Sequence, residues 1–196
     1  MISSILLAAG MSTRMGEPKA LLDWGGEPLI CYQVRQLIEA GVDEVIVVLG
    51  YRADDISRQM RHLKCRIMIN PRYHMGRATS LRIGAKAVNR DASAIVIENV
   101  DSPRSAEFLR ALLAAHGTNG VITRPVFDGR HGHPIVVNGN LREDLLRVED
   151  ETGGLHAVIE AHRADLLDMA SDASCEVDFN TPEEYQAARR YFGIPV

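Results

Sequence analysis

The feature that most constrains this chain is an apolar run near its start that ends in three small residues. The apolar residues 5–7 predict a buried strand, and Ala8, Ala9 and Gly10 follow it with little side-chain bulk. Such a turn is common in α/β domains, so it does not define a site by itself. Small residues do let backbone N–H groups approach a ligand closely. The sequence therefore predicts a strand that ends in a turn open to a ligand.

Hydroxyl and cationic residues follow the turn within ten positions. Ser12 and Thr13 supply hydroxyl groups, Arg14 and Lys19 supply positive charge, and Gly16 adds a second flexible position. Backbone N–H donors combined with fixed positive charge suit a polyphosphate. These residues in register favour a phosphate-binding loop over a turn without a ligand.

Two common phosphate loops do not match this stretch. The pattern G-x-x-x-x-G-K-[ST] fails because five residues separate Gly10 from Gly16 and Glu17 follows the second glycine. The pattern G-x-G-x-x-G fails because residue 12 is Ser and residue 13 is Thr. The loop is therefore neither a P-loop nor a dinucleotide fingerprint.

The loop resembles the signature L-A-A-G-x-[SG]-x-R-M-G-x-x-K of the MobA-like NTP transferase family, and later segments are similar to its molybdenum cofactor cytidylyltransferase (MocA-like) branch. The resemblance implies that the loop binds a nucleoside triphosphate. Arg14 would hold the β- and γ-phosphates, and Lys19 would neutralise charge around the α-phosphate. The implied nucleotide-binding residues of this stretch are Leu7, Ala8, Ala9, Gly10, Ser12, Arg14, Gly16 and Lys19.

Apolar periodicity predicts a regular alternation of strands and helices up to residue 123. Repeated β-α units imply a three-layer, doubly wound α/β fold around a mostly parallel sheet, with ligands at the carboxyl ends of the strands. The resemblance implies the Rossmann-like nucleotidyltransferase version of this fold. The predicted strands after the first are 44–49, 65–69, 92–97 and 120–123, and the predicted helices are 28–40, 54–63, 81–88 and 106–115.

The pattern changes after residue 123. A hairpin is predicted to turn at residues 128–130, and Thr181 begins a capping box before the final helix. The predicted elements of this part are the hairpin 124–137, the helices 141–148 and 155–161, and the strands 166–169 and 176–179. We expect a single domain over residues 1–196, with a nucleotide-binding portion 1–123, an acceptor-side subregion 124–180 and a C-terminal helix 181–196.

Two acids are candidate metal ligands. Asp101 follows an apolar strand and should project from its carboxyl end, where Mg²⁺ would take one or two carboxylates with phosphate oxygens and water. By residue type alone, either acid could instead precede or cap a helix. Asp101-Ser102-Pro103 is similar to the metal-binding Asp-x-Pro of the family, and Asp178 lies in a segment similar to the one that shares the metal. The resemblance therefore implies Mg²⁺ on Asp101 and Asp178. The departures from the family pattern are Val100, Ser102 and Asn180.

Residues 73–82 resemble the G-M-x-x-S-L-[RK]-x-G segment of the cytidylyltransferase branch. Gly76 and Ser80 match it, and Arg77 stands where Met is usual. The resemblance places Gly76 and Ser80 at the nucleobase or ribose pocket. Alternatively, Thr79 or Ser80 could simply cap a helix.

Residues 127–134 resemble the G-x-x-G-H-P hairpin of the same branch. The resemblance implies that Gly132, His133 and Pro134 lie beside the acceptor substrate, although a turn histidine could also have no role. Without a third or fourth ligand nearby, zinc is not expected here. The other histidines are interpreted as surface or capping groups, namely His62, His74, His116, His156 and His162.

Composition narrows the classes of function. The 196-residue chain carries a formal net charge of −4, which argues against a general nucleic-acid binder because backbone phosphates require a basic face. The three cysteines lack metal or disulfide spacing and fit a reducing compartment. No stretch resembles a signal peptide or a membrane span. We therefore expect a cytoplasmic protein that binds neither nucleic acid nor membranes, in an oligomeric state that the sequence does not indicate.

The predicted function is a direct, Mg²⁺-dependent nucleotidyl transfer. No G-x-S-x-G nucleophile is present, and this chemistry needs mainly positioning and charge neutralisation. The resemblance implies CTP as donor and a molybdopterin-type phosphate as acceptor, giving a dinucleotide cofactor and pyrophosphate. The alternatives are a sugar- or polyol-phosphate acceptor, GTP in place of CTP, and a non-catalytic nucleotide-binding module.

Overall fold

A computed structural model describes residues 1–195 and contains one eight-stranded sheet. The strands are Ile2–Ala8 (β1), Glu44–Leu49 (β2), Arg66–Ile69 (β3), Ala94–Asn99 (β4), Ile122–Phe127 (β5), Arg130–His131 (β6), Ile135–Asn138 (β7) and Leu166–Ala170 (β8). The α-helices are Leu29–Glu39 (α1), Ala53–Gln59 (α2), Arg77–Ala87 (α3), Ala106–His116 (α4), Arg142–Leu145 (α5), Leu155–Ala161 (α6) and Pro182–Tyr191 (α7).

The sheet has the order β3-β2-β1-β4-β7-β5-β6, and β8 pairs with β5. The first four strands in this order are parallel, β7 is antiparallel to both neighbours, and β8 is parallel to β5. This arrangement confirms the predicted α/β fold with a mostly parallel sheet. Leu7 pairs with Asn99 and Ala8 with Leu49, so the loops after β1, β2 and β4 leave the sheet at the same edge.

Helices cover both faces of the sheet because successive strand residues point to opposite sides. Leu6, Val47 and Val96 are buried on the side of α1 and α4. Ile5, Val48 and Ile95 are buried on the side of α3, α5 and α6. A third cluster joins α7 to the loop before α1 and contains Leu22, Trp24, Leu29, Phe179, Tyr185 and Ala188. This last cluster packs α7 against the segment between the glycine loop and α1.

Helix α3 begins at Arg77, four residues before its predicted start. Gly76 precedes it with a φ of 118°, and the carboxylate of Asp150 accepts hydrogen bonds from the backbone N–H of Ala78 at 3.1 and 3.0 Å. A side chain 72 residues away therefore caps the helix. Thr79 and Ser80 are not caps, since both lie inside α3. Helix α2 also ends early, at Gln59, and a tight turn returns the chain to β3.

The part after residue 117 departs from the prediction at three places. The predicted helix 141–148 is reduced to α5, Arg142–Leu145. Strand β5 runs from Ile122 to Phe127 because β6, β7 and β8 all pair with it, whereas 120–123 was predicted. The predicted hairpin does turn at Asp128 and Gly129, both with positive φ. Residues 176–179 do not form the predicted strand, because the carbonyl of Val177 accepts a hydrogen bond from the side chain of Arg104 instead of a strand partner.

The C-terminal helix has the predicted capping box. Thr181 Oγ1 accepts from the N–H of Glu184 at 3.3 Å, and the Glu184 carboxylate accepts from the N–H of Thr181 at 3.3 Å. The helix ends at Tyr191, earlier than the predicted segment 181–196, of which Val196 lies outside the described residues.

Strands of both predicted portions, 1–123 and 124–180, belong to the same sheet, and their division into functional parts stays a prediction. The interpretation of His116 as a surface or capping group is wrong, because this residue is buried and its Nδ1 lies 2.9 Å from Thr123 Oγ1. Across residues 1–195, every helix is too short or too polar to span a bilayer.

Candidate active site

The glycine loop leaves β1 at Ala8 and folds back on itself before α1. Ser12 adopts a φ of 52° and its carbonyl accepts from the N–H of Met15 at 2.9 Å, which closes a tight turn. The Ser12 hydroxyl accepts from the N–H of Lys19 at 3.2 Å. Gly16 has a φ of 77°, a conformation that a residue with a side chain rarely adopts. The loop is therefore shaped by its own hydrogen bonds around two residues in the left-handed region.

A cavity of about 490 Å³ opens beside this loop at the carboxyl edge of the sheet. Its wall contains nearly all the residues predicted to bind the nucleotide, namely Leu7, Ala8, Ala9, Gly10, Ser12, Arg14, Lys19, Gly76 and Ser80. Gly16 does not line the cavity and serves the turn instead. Tyr73 and His74, which are absent from the predicted site, also face the cavity and their rings are in edge-to-face contact. The glycine loop and the segment 73–80 thus face one space, together with the β4 loop, Ile56 and Asn180.

Lys19 is the buried cation of this cavity. Only 8% of the residue is exposed, and its Nζ donates to Asp101 Oδ2 at 2.8 Å and to Asn180 Oδ1 at 3.0 Å. Its ammonium also lies 5.9 Å from the centre of the Phe179 ring. Arg14 is exposed at the cavity wall. Asn180, a departure from the family pattern, therefore holds Lys19 in place.

Asp101 and Asp178 lie close enough for their charges to interact. The backbone N–H of Phe179 donates to the carbonyl of Asp101 at 3.2 Å, which joins the two loops. Burial, followed by the charges of Asp101 and Glu184, raises the pKa of Asp178 above its usual value. Asp101 lines the cavity, whereas Asp178 lies outside its lining. Two neighbouring carboxylates that repel each other are a donor set that a divalent cation would stabilise. Within residues 1–195, no cluster of three or more His, Cys, Asp or Glu side chains is arranged for a metal.

A side chain of α1 supports the loop that carries Asp101. Gln33, which is fully buried in α1, donates from Nε2 to the carbonyl of Val100 at 3.0 Å and lies 3.4 Å from that of Asn99. Arg77 donates to the side-chain oxygen of Asn99. Gln33 carries no local sequence signal of this role, because it is one polar residue on an amphipathic helix.

Arg104 is a second supporting residue that the sequence did not indicate. It is 1% exposed, and its guanidinium donates to four backbone carbonyl groups. The acceptors are the carbonyls of Pro103, His133, Cys175 and Val177, at 2.7, 2.8, 2.7 and 2.9 Å. Arg104 therefore links the Asp101 loop, the His133 loop and the segment that leads to Asp178. Its only sequence signal is its place after Asp101-Ser102-Pro103.

A second cavity of about 440 Å³ adjoins the first. Gly132 and His133, both predicted beside the acceptor, line it, whereas Pro134 is buried behind them. Its floor is apolar, formed by Leu7, Leu81, Ile135, Leu155 and Ile159. Burial, together with the positive charges of Arg77 and Arg104, lowers the pKa of His133 to about 4. The imidazole is consequently neutral at neutral pH.

A family profile described as the MobA-like NTP transferase domain matches residues 4–166, which covers the glycine loop, Asp101 and the His133 hairpin. The chain belongs to this family. As a MobA-like NTP transferase it is a nucleotidyltransferase by family. Except for Asn180, the residues that line the two cavities lie within the matched region.

Three relatives cover nearly the whole chain of this MobA-like transferase. Nicotine blue oxidoreductase of Paenarthrobacter nicotinovorans is 28% identical, covering 93% of this chain and 94% of the relative. Molybdenum cofactor cytidylyltransferase of Escherichia coli is 24% identical, covering 97% of each. The crystal structure of Rv0371c from Mycobacterium tuberculosis superposes with a TM-score of 0.84 at 25% identity, covering 95% of this chain and 96% of that one. A further structure of Rv0371c, described as a manganese complex, has a TM-score of 0.80 at 23% identity over 95% and 97% of the two chains.

Proposed function

We propose that this MobA-like transferase moves CMP from CTP to a phosphate-bearing acceptor of the molybdopterin type and releases pyrophosphate. The observation that carries the proposal is the Lys19–Asp101 ion pair at the meeting point of the glycine loop and the β4 loop. An ammonium beside a metal-binding carboxylate suits a phosphate that gains charge in the transition state. The choice of CTP and of the acceptor is supported by the relative named molybdenum cofactor cytidylyltransferase.

In the proposed reaction, an oxygen of the acceptor phosphate forms a bond to the α-phosphorus in line with the leaving group. The bond between the α-phosphorus and the bridging oxygen breaks, and pyrophosphate leaves with the electron pair. Lys19 neutralises the α-phosphate, and Arg14, at the exposed wall, binds the β- and γ-phosphates. Gly76 and Ser80 bind the base or ribose, and Gly132, His133 and Pro134 shape the acceptor side.

Asp101 and Asp178 are proposed to hold Mg²⁺. When bound, the ion would neutralise phosphate oxygens and stabilise the leaving group. The fit is supported by the surroundings of Asp178, whose pKa is raised by burial and then by the charges of Asp101 and Glu184. The manganese complex of Rv0371c adds support for a divalent ion in a related fold.

Pyrophosphate release tests the transfer. We expect turnover with CTP, Mg²⁺ and molybdopterin, and slower or no turnover with GTP, ATP or UTP and with sugar or polyol phosphates. Asp101→Asn should reduce turnover by orders of magnitude, while Asp91→Asn, at the opposite edge of the sheet, should not change it. Chelation of divalent ions should abolish turnover of the wild type. Equal rates for Asp101→Asn and the wild type would contradict the assigned role.

Three other functions can be distinguished by this assay together with a binding measurement. Turnover only with a sugar or polyol phosphate would replace the acceptor, and preference for GTP would replace the donor. Binding of nucleotides without turnover on any acceptor would support a non-catalytic module, with binding detected as a rise in melting temperature. The relative named nicotine blue oxidoreductase motivates a fourth measurement, the reduction of nicotine blue by an added nicotinamide reductant, followed by absorbance. Turnover there without pyrophosphate release would support redox chemistry instead.

A further inference from the structure

Arg77 stands on the wall between the two cavities. Among the residues that line them, Leu7 and Arg77 are the two that both cavities share. Leu7 is buried at the floor and offers only apolar contact. Arg77 is the charged residue that lines both spaces.

The position of this guanidinium is fixed by its neighbours. Arg77 is the first residue of α3, and its Nη2 donates to the side-chain oxygen of Asn99 at the end of β4. Asp150 already accepts from the backbone N–H of Ala78, so the start of the helix is occupied by a carboxylate. A Cβ on residue 76 would overlap the Asp150 carboxylate, so only glycine at this position lets Asp150 reach the start of the helix.

Arg77 lies near two carboxylates, but among residues 1–195 it forms no ion pair with either of them, and Asp101 is paired with Lys19. Desolvation lowers the pKa of Arg77, and the carboxylates of Asp101 and Asp150, in that order, oppose this shift. Asp101 lines the first cavity and Asp150 lines the second. In the second cavity, Arg124 is paired with Asp168 at 2.6 Å, and His133 is neutral. Arg77 therefore supplies a positive charge at the junction of the cavities, and within residues 1–195 this charge is not neutralised by a salt bridge.

We propose that Arg77 binds the phosphate of the acceptor at this junction and brings it against the α-phosphate of the nucleotide. The inference rests on the proposed function, in which two anions must approach to bonding distance. A planar guanidinium can donate to oxygens of both anions and so reduce their repulsion. The bond formed to the α-phosphorus and the bond broken to the bridging oxygen are those of the proposed reaction. No proton moves, because the attacking phosphate is already ionised.

The test separates phosphate binding from nucleotide binding. The probes are phenyl phosphate, whose ring matches the apolar floor of the second cavity, and α,β-methylene-CTP with Mg²⁺, which cannot release pyrophosphate. ³¹P NMR titrations would compare the wild type with Arg77→Met, Arg77→Lys and the control Arg90→Met, whose residue is exposed beyond the far edge of the sheet. Phenyl phosphate is titrated both with and without the CTP analogue.

We expect Arg77→Met to weaken phenyl phosphate binding at least tenfold, Arg77→Lys to recover part of the loss, and Arg90→Met to match the wild type. Binding of the CTP analogue should change less than threefold in all variants. Unchanged phenyl phosphate binding in Arg77→Met, an equal loss of both probes, or no binding of phenyl phosphate to the wild type would each overturn the proposal. Failure of the proposed function would show differently, as absence of CTP analogue binding or turnover while the Arg77 effect on phenyl phosphate persists.

Discussion

At the scale of single residues, the candidate site depends on a buried ammonium whose partners are carboxylate and amide oxygens. Lys19 contacts Asp101 and Asn180, so its ammonium is held in one place before any ligand arrives. A fixed charge costs little reorganisation when a phosphate becomes more negative. Lys19 is thus positioned both by the sequence next to it and by the two distant loops.

Replacing Lys19 by Met should remove the charge and keep the length of the side chain. We expect the turnover number for pyrophosphate release to fall by about 10²–10³-fold, the usual cost of losing one such donor. Lys64→Met, which neutralises an exposed lysine beside β3, is the control and should leave turnover unchanged. A turnover number for Lys19→Met within a few fold of the wild type would contradict the role of the ammonium.

Glu98 is a buried acid that the proposed reaction does not use. It is 1% exposed in β4, and neither carboxylate oxygen has a hydrogen-bond partner among the described residues. Burial raises its pKa to about 8, against the opposing charge of Arg104. In the folded state Glu98 is therefore protonated at neutral pH, whereas in the unfolded state it ionises near 4.5.

The free energy of unfolding should consequently fall as the pH rises between these two values. In that window the folded state holds one proton more than the unfolded state, which costs up to about 1.4 kcal/mol per pH unit. Glu98→Gln removes this titration, so the difference in unfolding free energy between variant and wild type should grow by about 2 kcal/mol from pH 6 to pH 8. Urea denaturation at several pH values measures it. A difference that stays constant with pH would contradict the protonated state.

At the scale of elements, α3 depends on a cap supplied from another part of the chain. Asp150 lies in the polar stretch before α6, yet its carboxylate binds the N–H of Ala78. The same helix presents Arg77 and Ser80 to the first cavity. The start of α3, and with it the shape of the nucleotide cavity, is therefore set by a tertiary contact.

Asp150→Ala should remove this cap and lower the free energy of unfolding by about 1 kcal/mol, with a range of 0.5–2 for caps of this kind. Asp150→Asn should keep part of the effect, because an amide oxygen can still accept from the N–H. Asp54→Ala, an exposed acid in the first turn of α2 that makes no cap hydrogen bond, is the control. Urea denaturation compares the three, and equal stabilities of Asp150→Ala and wild type would contradict the cap.

At the scale of the whole molecule, Arg104 connects segments that are far apart in sequence. Its four acceptors belong to residues 103, 133, 175 and 177. One of them is His133 itself, and the others lie near Asp101 and Asp178 in the chain. One buried guanidinium thus organises backbone from both predicted portions of the chain. The bonds to Pro103 and Cys175 are buried and the other two are partly buried, so water has limited access to replace this donor.

Arg104→Met should destabilise the protein by about 3 kcal/mol or more, because several buried carbonyl groups lose their donor at once. Arg58→Met, which breaks only an exposed pair with Asp55, should change the free energy of unfolding by less than about 1 kcal/mol. Urea denaturation of both variants decides between them. Similar small losses for the two arginines would show that the Arg104 contacts do not support the fold.

Much of the architecture could be predicted because its signals are local. Apolar periodicity indicated the β-α alternation, and a turn at Asp128 and Gly129 and the capping box at Thr181 followed from residue type. The predictions failed where a distant partner decides the local structure. Asp150 caps α3 at an earlier residue than predicted, and Arg104 donates to the Val177 carbonyl that a strand at 176–179 would have paired with a neighbouring strand.

The sequence by itself determined the glycine loop and the family, because these depend on residue types at fixed short spacings. Only the tertiary structure decided which residues support them. Gln33, Arg104 and Asp150 are ordinary polar residues in the sequence, and their roles arise because burial forces each polar group to find a partner across the fold. Arg77 acquires its place between the two cavities for the same reason, since no local pattern records where two distant loops meet.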